Sequence, residues 1–135
     1  MLTQIIDDIK RCLREAGVRN VYTAFDALPV DRKGECFTVV GVSSLNVEAP
    51  IMAPLTVYFP IRAEVEITLL APENWSLEQL YGLFCQKVEP VLLEMSGMTT
   101  RLKSLALKPD SNLHRIALKA TVSAAWVRKV ERSLP

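Results

Sequence analysis

Histidine is almost missing from this chain: His114 is its one imidazole among 135 residues. That scarcity removes the side chain most often used as a general base and metal ligand near neutral pH. The three cysteines, Cys12, Cys36 and Cys85, are widely spaced and form no CxxC pair. With a single histidine beside them they do not assemble a zinc ligand set, and free thiols are the expected state. The five glycines, Gly17, Gly34, Gly41, Gly82 and Gly97, stand singly, so there is no glycine-rich phosphate loop. No apolar run approaches the roughly 18 residues of a membrane-spanning helix. The opening Met1-Leu2-Thr3-Gln4-Ile5-Ile6-Asp7-Asp8 carries acid where a signal peptide carries base, which reads as a cytoplasmic protein without a secretion signal. Nor is there an excess of one charge. Sixteen Lys and Arg against fifteen Asp and Glu leave a net charge of +1 and a pI near 7.7. Such balance gives no electrostatic footprint for tight binding to nucleic acid or anionic membrane.

What the chain does have is apolar material in ordered patterns. Half of it is hydrophobic and 23% is charged, enough for one domain spanning residues 1–135 with one sizeable core. Leu2, Ile5, Ile6, Ile9, Cys12, Leu13 and Ala16 recur at three- and four-residue spacing and predict an amphipathic helix from Thr3 to Ala16, capped by Thr3 and ended by Gly17. A second helix starts at Ser76, where Ser76 and Gln79 form a capping box and Trp75 with Leu80 suits a hydrophobic staple. Its apolar stripe is Leu77, Leu80, Tyr81, Phe84, Val88, Val91, Leu92 and Met95; Pro90 should kink it and Gly97 end it.

Strands are expected at Val21–Phe25, Glu35–Ser43, Ile61–Ala71, Thr99–Leu107 and Ile116–Trp126. The third is the cleanest: Ile61, Ala63, Val65, Ile67 and Leu69 alternate with Arg62, Glu64, Glu66 and Thr68. Eleven residues at about 3.3 Å span roughly 36 Å, close to the ~37 Å diameter of a domain this size. The alternation in 99–107 changes phase between Leu102 and Leu105, as a β-bulge would produce. Asp26–Gly34 and Lys108–Asn112 read as polar turns, and 127–135 as a charged, frayed tail. Residues 45–60 are apolar yet interrupted by Pro50, Pro54 and Pro60, which predicts an extended proline-rich loop. Two readings of it stay open: a loop packed over its own core, or a surface adhesive toward another chain. The fold class is therefore α+β, a mostly antiparallel sheet of about five strands with two helices on one face, in the order α-β-β-β-α-β-β.

Candidate chemistry is thin. Gly41-Val42-Ser43-Ser44-Leu45 lacks the second glycine of a nucleophile elbow. His114 sits at a polar turn, where a solvated ring is the default. Glu64 and Glu66 lie roughly 6.6 Å apart on one strand face, a spacing that paired acid–base carboxylates can use. However, Arg62 and Thr68 continue the same row, as on a solvated or interface face. No catalytic, cofactor or metal residues are assigned, and the chain is not expected to be an enzyme.

In element order and size the chain resembles the tail-terminator, or tail-completion, proteins of long-tailed phages and prophages. The likeness lies in the helix from Leu2 to Ala16, three strands with a long proline-rich connection, the capped helix after Leu-Ala-Pro-Glu-Asn-Trp-Ser, and a closing pair of strands. It implies a homo-oligomeric ring, commonly hexameric, that caps the tail tube and joins it to the head. It also implies tube and head-completion proteins as partners, and DNA passing through the ring without specific binding. The implied location is the host cytoplasm during assembly and then the virion tail. On this resemblance Ile51, Met52, Leu55 and Tyr58 would contact a neighbouring subunit or the tube. Arg62, Glu64, Glu66 and Lys119 would face a neighbour or the lumen. Two other readings fit the residues: a small-molecule-binding or enzymatic α+β domain with a site between the sheet and residues 45–60, or an adaptor binding a protein partner through those residues.

Overall fold

Alternation becomes sheet here and periodic stripes become helix. The computed structural model describes residues 2–23, 35–110 and 115–132. They form α1 (Leu2–Glu15), β1 (Val21–Thr23), β2 (Phe37–Val47), β3 (Ile51–Met52), β4 (Thr56–Pro72), α2 (Leu77–Leu83), a π-helical turn (Phe84–Val88), α3 (Glu89–Glu94), β5 (Thr99–Asp110) and β6 (Arg115–Glu131). The class is α+β. The sheet order is β1-β2-β4-β6-β5, with β3 also paired to β4. Among the described strands only the β1–β2 pairing is parallel.

Ile61, Ala63, Val65, Ile67, Leu69 and Ala71 of β4 are buried. Register places Trp126, Ala124, Val122, Ala120, Leu118 and Ile116 of β6 opposite them on the same face. Ile5, Ile6, Ile9 and Leu13 of α1 pack into the same core as Leu80, Phe84, Val88 and Leu92 of the second helical unit. The helices therefore cover one sheet face; the described helices leave the other bare, although Phe37 and Arg115 at one end of it are buried.

Local chemistry sets the helix ends. Gly17, at φ +93°, closes α1: its N–H bonds the Arg14 carbonyl and the Val18 N–H bonds the Leu13 carbonyl, both at 3.0 Å. This is the Schellman arrangement, with buried Leu13 and Val18 as its apolar pair. Gly17→Ala should therefore cost about 1–2 kcal/mol by forcing a Cβ into a left-handed conformation, read as a lowered urea midpoint at unchanged slope. At α2 the capping box forms, with Ser76 Oγ accepting from the Gln79 N–H at 3.1 Å and Gln79 Oε1 accepting from the Ser76 N–H at 2.9 Å.

Pro90 produces a π turn, since a missing N–H and a ring clash forbid the regular ladder. The Glu89 N–H bonds the Phe84 carbonyl, five residues back. The turn also keeps the buried row aligned. Leu80, Phe84, Val88 and Leu92 are each four apart, a spacing that drifts by about 40° per step at 3.6 residues per turn. The wider π turn rotates back against that drift. Leu77 and Tyr81, expected in this stripe, fall on its flank instead and are half exposed.

Several boundaries differ from the sequence reading. β1 ends at Thr23; the rest of the strand expected to Phe25, the turn at 26–34 and His114 lie outside the described residues. Thr3 lies inside α1, which is already helical at Leu2, so it is not the cap. Lys108, Pro109 and Asp110 belong to β5, an edge strand where a proline costs no ladder bond. The predicted bulge is present: the β5–β6 register shifts between Leu102 and Ser104.

The largest correction concerns residues 45–60, which are sheet rather than loop. β2 continues to Val47, β3 adds Ile51 and Met52, and β4 begins at Thr56. Each proline falls where a ladder bond is absent anyway. Pro50 lies in the β2–β3 connection and Pro54 in the hairpin turn that the Ala53 N–H closes on the Thr56 carbonyl at 2.8 Å. Pro60 lies beside the break between β2 and β3, its carbonyl taking the Glu48 N–H at 2.9 Å. Likewise Val127–Glu131 is not frayed tail but the end of β6, paired with β4 from Pro60↔Val127 to Thr56↔Glu131.

Candidate interface

Strands β4 and β6 each have 17 residues, about 56 Å at ~3.3 Å per residue. The buried face of these strands begins at Ile61, which stands opposite Trp126. Beyond it Thr56–Pro60, Val127–Glu131 and β3 continue as a three-stranded arm some five residues long. Its tip is fastened: the Arg132 N–H bonds the Leu55 carbonyl at 2.8 Å, and an Arg132 guanidinium N–H reaches the Ala53 carbonyl at 3.4 Å.

The arm is apolar and uncovered. Val47, Ile51, Met52, Leu55 and Val127 are each more than half exposed, and Tyr58 is half-buried. Ile51 faces Tyr58 across the β3–β4 ladder, on the open side of the sheet, while Met52 faces Val57 on the helix side. Of the four apolar residues singled out in this segment, three are therefore exposed. Val47, in the same proline-interrupted apolar segment, and Val127 join them; Val127 carries no sequence signal, because the pairing that exposes it joins distant segments.

Arg62, Glu64, Glu66 and Lys119 all lie on the open face. Lys119 stands opposite Thr68 and reaches diagonally to Glu66, Nζ to Oε1 at 3.3 Å. Lys103, in the β5 bulge, crosses β6 to pair with Glu64, while Arg62 approaches Glu48 at 4.0 Å. Small residues on β6, Ser123 and Thr121, stand opposite Glu64 and Glu66 and leave room for these crossings. Exposed pairs of this kind contribute about 0–1 kcal/mol each. Their effect is to neutralise the face and keep its cations from pooling. A shallow concavity of about 510 Å³ lies among them, lined by Asn46, Arg62, Glu64, Arg101 and Ser123.

At the other end of that face Arg115 is buried. It lies over the Phe37 ring at 4.6 Å and donates to the Glu35 carbonyl at 2.8 Å. Tyr22 meets Phe37 edge-on, with ring centroids 5.9 Å apart.

Cys12, Cys36 and Cys85 are half-buried free thiols. Burial pushes the Cys36 thiol from 9.0 to about 11, more than the nearby Arg115 charge lowers it. Because the folded value is the higher, the unfolded chain loses that proton first, and stability should fall as pH rises from about 9 toward about 11. In a Cys12→Ser, Cys85→Ser background, thiol alkylation of the folded protein should stay slow at pH 8 and accelerate only above pH 10. Among the described residues no group of three or more His, Cys, Asp or Glu side chains could hold a metal ion. None of the described helices is long and apolar enough to cross a membrane. A second concavity, about 630 Å³ between the arm's root and Gly97–Thr99, is lined by Trp126 and by the Arg62–Glu48 ion pair.

No protein-family model matches this chain. No curated protein matches it either. Solved structures of similar fold do exist. One is the sheath/tube terminator of the PVC extracellular contractile injection system, in its extended state. The similarity covers 98% of this chain and 58% of that one, with a TM-score of 0.50 and 12% identity. A second solved chain matches over 99% of this chain and 96% of its own length, with a TM-score of 0.52 and 7% identity. The type 4 fimbrial biogenesis protein PilO from Pseudomonas aeruginosa is similar over 93% of this chain and 68% of that one, but at a TM-score of 0.35 and 13% identity the likeness is too loose to carry an argument. At such identities these likenesses show the fold alone. The chain spans little more than half of the terminator's length.

Proposed function

We propose that this chain is a non-enzymatic assembly protein whose copies form a closed ring that terminates a phage- or prophage-type tail tube and joins it to the head. The observation that carries the reading is the arm, a strand-built extension with more than half of Val47, Ile51, Met52 and Leu55 exposed. An apolar projection of this kind is a liability for a free monomer and an asset for a subunit. The fold likeness to a sheath/tube terminator supports the same reading. In it, Ile51, Met52, Leu55 and Tyr58 contact a neighbouring subunit or the tube. Arg62, Glu64, Glu66 and Lys119 face a neighbour or the lumen. A charge-balanced open face suits a channel through which DNA slides without sticking, since tight phosphate binding needs unneutralised Lys and Arg. No cofactor enters this role, and the partners are tube and head-completion proteins, met in the host cytoplasm and retained in the virion tail.

Native mass spectrometry of the purified chain, alone and co-expressed with a tube protein, tests the proposal. A ring-sized homo-oligomer in either condition supports it, with six copies the expected number. A monomer in every condition overturns it.

A further inference from the structure

A second uncovered apolar surface lies on the opposite layer of the molecule. On the outer side of α2 and α3, Leu77, Tyr81 and Leu93 are exposed by 52%, 49% and 67%. The stretch from Leu77 to Glu94 carries Glu78, Glu89 and Glu94 against the single cation Lys87, whose amine lies near Gly17. The arm has the reverse balance: the end of β6 and the residue after it carry Arg128, Lys129 and Arg132 against Glu131. One surface is apolar and acidic, the other apolar and basic, and both belong to the same chain.

We propose that the arm of one copy seats on the outer face of α2–α3 of the next, a head-to-tail contact that rests on the ring reading above. Charge selects this pairing over its rivals. Arm against arm would oppose Arg128 and Lys129 to their own copies, and helix against helix would do the same with Glu78, Glu89 and Glu94. Geometry agrees. The arm projects roughly 17 Å past the core, at about 3.3 Å per residue for five residues. It is paired through to Thr56↔Glu131, and its root at Val127 and Arg128 borders Gln4 and Asp8 of α1. Gly82, beside Tyr81 in mid-helix, adds an independent sign: a Cβ built there meets nothing within 4 Å. A helical glycine costs about 0.5–1 kcal/mol against alanine, and among the described residues no neighbour requires the gap. It leaves a notch beside Glu78 on the helical surface, where a backbone can come close. Because the two surfaces differ, each copy offers one of each, and the contact propagates until rotation closes the ring.

Two full-length variants test this: an arm variant, Ile51→Asp with Met52→Asp, and a seat variant, Tyr81→Glu with Leu93→Glu. All four positions are exposed, and thermal unfolding by circular dichroism checks that each variant remains folded. Sedimentation is expected to show each variant alone as a monomer, with self-association weakened on the order of 30-fold or more, as for a hot-spot contact. An equimolar mixture is expected to form a dimer and nothing larger, since the intact arm of one fits the intact seat of the other. A charge-swapped set is the second measurement: Arg128→Glu with Lys129→Glu should fail alone and recover with Glu78→Lys, Glu89→Lys and Glu94→Lys. Variants that still assemble like the wild type, or a mixture that stays monomeric, overturn the head-to-tail contact while leaving the ring reading standing. A wild-type chain that never self-associates overturns both.

Discussion

Replacing Phe84 by alanine is expected to lower the unfolding free energy by about 3–5 kcal/mol, the range for deleting a buried aromatic ring. Phe84 is fully buried and is the first residue of the π turn, in the row Leu80, Phe84, Val88 and Leu92 that packs on the sheet. Collapse around the missing ring is restricted from both sides. Below it the sheet is fixed by the long β4–β6 ladder; above it the helical backbone is set by Pro90. Urea unfolding measures the loss as a lower midpoint at constant slope. Leu93→Ala on the same helical unit is the comparison. That side chain is 67% exposed, and its removal should shift stability by less than about 0.5 kcal/mol. Equal losses from the two substitutions would refute the assignment of inner and outer faces.

Arg115→Ala should cost about 2–4 kcal/mol, though the residue lies on the sheet face that is otherwise open. A charged hydrogen bond contributes about 1.5–3 kcal/mol and a partly desolvated cation–π contact about 0.5–2. Arg115 makes both, to the Glu35 carbonyl and the Phe37 ring, and is itself only 4% exposed. Lysine at the position should restore only part of the loss, because an ammonium lacks the flat plate that covers the ring. The readout is chemical unfolding of Arg115→Ala and Arg115→Lys beside the wild type. An alanine variant as stable as the parent would show that Phe37 finds another cover.

The positions of greatest interest for assembly were legible unevenly. Ile51, Met52 and Leu55 stand out as apolar residues among prolines, and all three are exposed. Yet the prolines that mark the segment also disguise it. Proline argues against a central strand because it lacks a donor, and nothing local reveals that Pro60 would fall beside a break in the neighbouring ladder. Tyr81 and Leu77 misled in the opposite direction. At ordinary helical periodicity they belong to the buried stripe; the π turn instead keeps every fourth residue inward and leaves them on the flank. Arg128 and Lys129 look like a solvated tail, because charge near a chain end normally means fraying.

Taken by itself, the sequence determined the class of fold, the alternating cores of β4 and β6, the capping box at Ser76, the bulge after Leu102 and the glycine-ended first helix. These are set by contacts among residues close in the chain, where propensity and periodicity carry the free energy. Tertiary structure alone decided the arm, the length of β6 and the burial of Arg115. Each depends on residues tens of positions apart, Thr56 with Glu131 or Glu35 with Arg115, whose meeting no local pattern encodes. A strand's end is fixed by its partner's reach, so an overhang that exposes Ile51 and Met52 exists only once two distant strands have aligned.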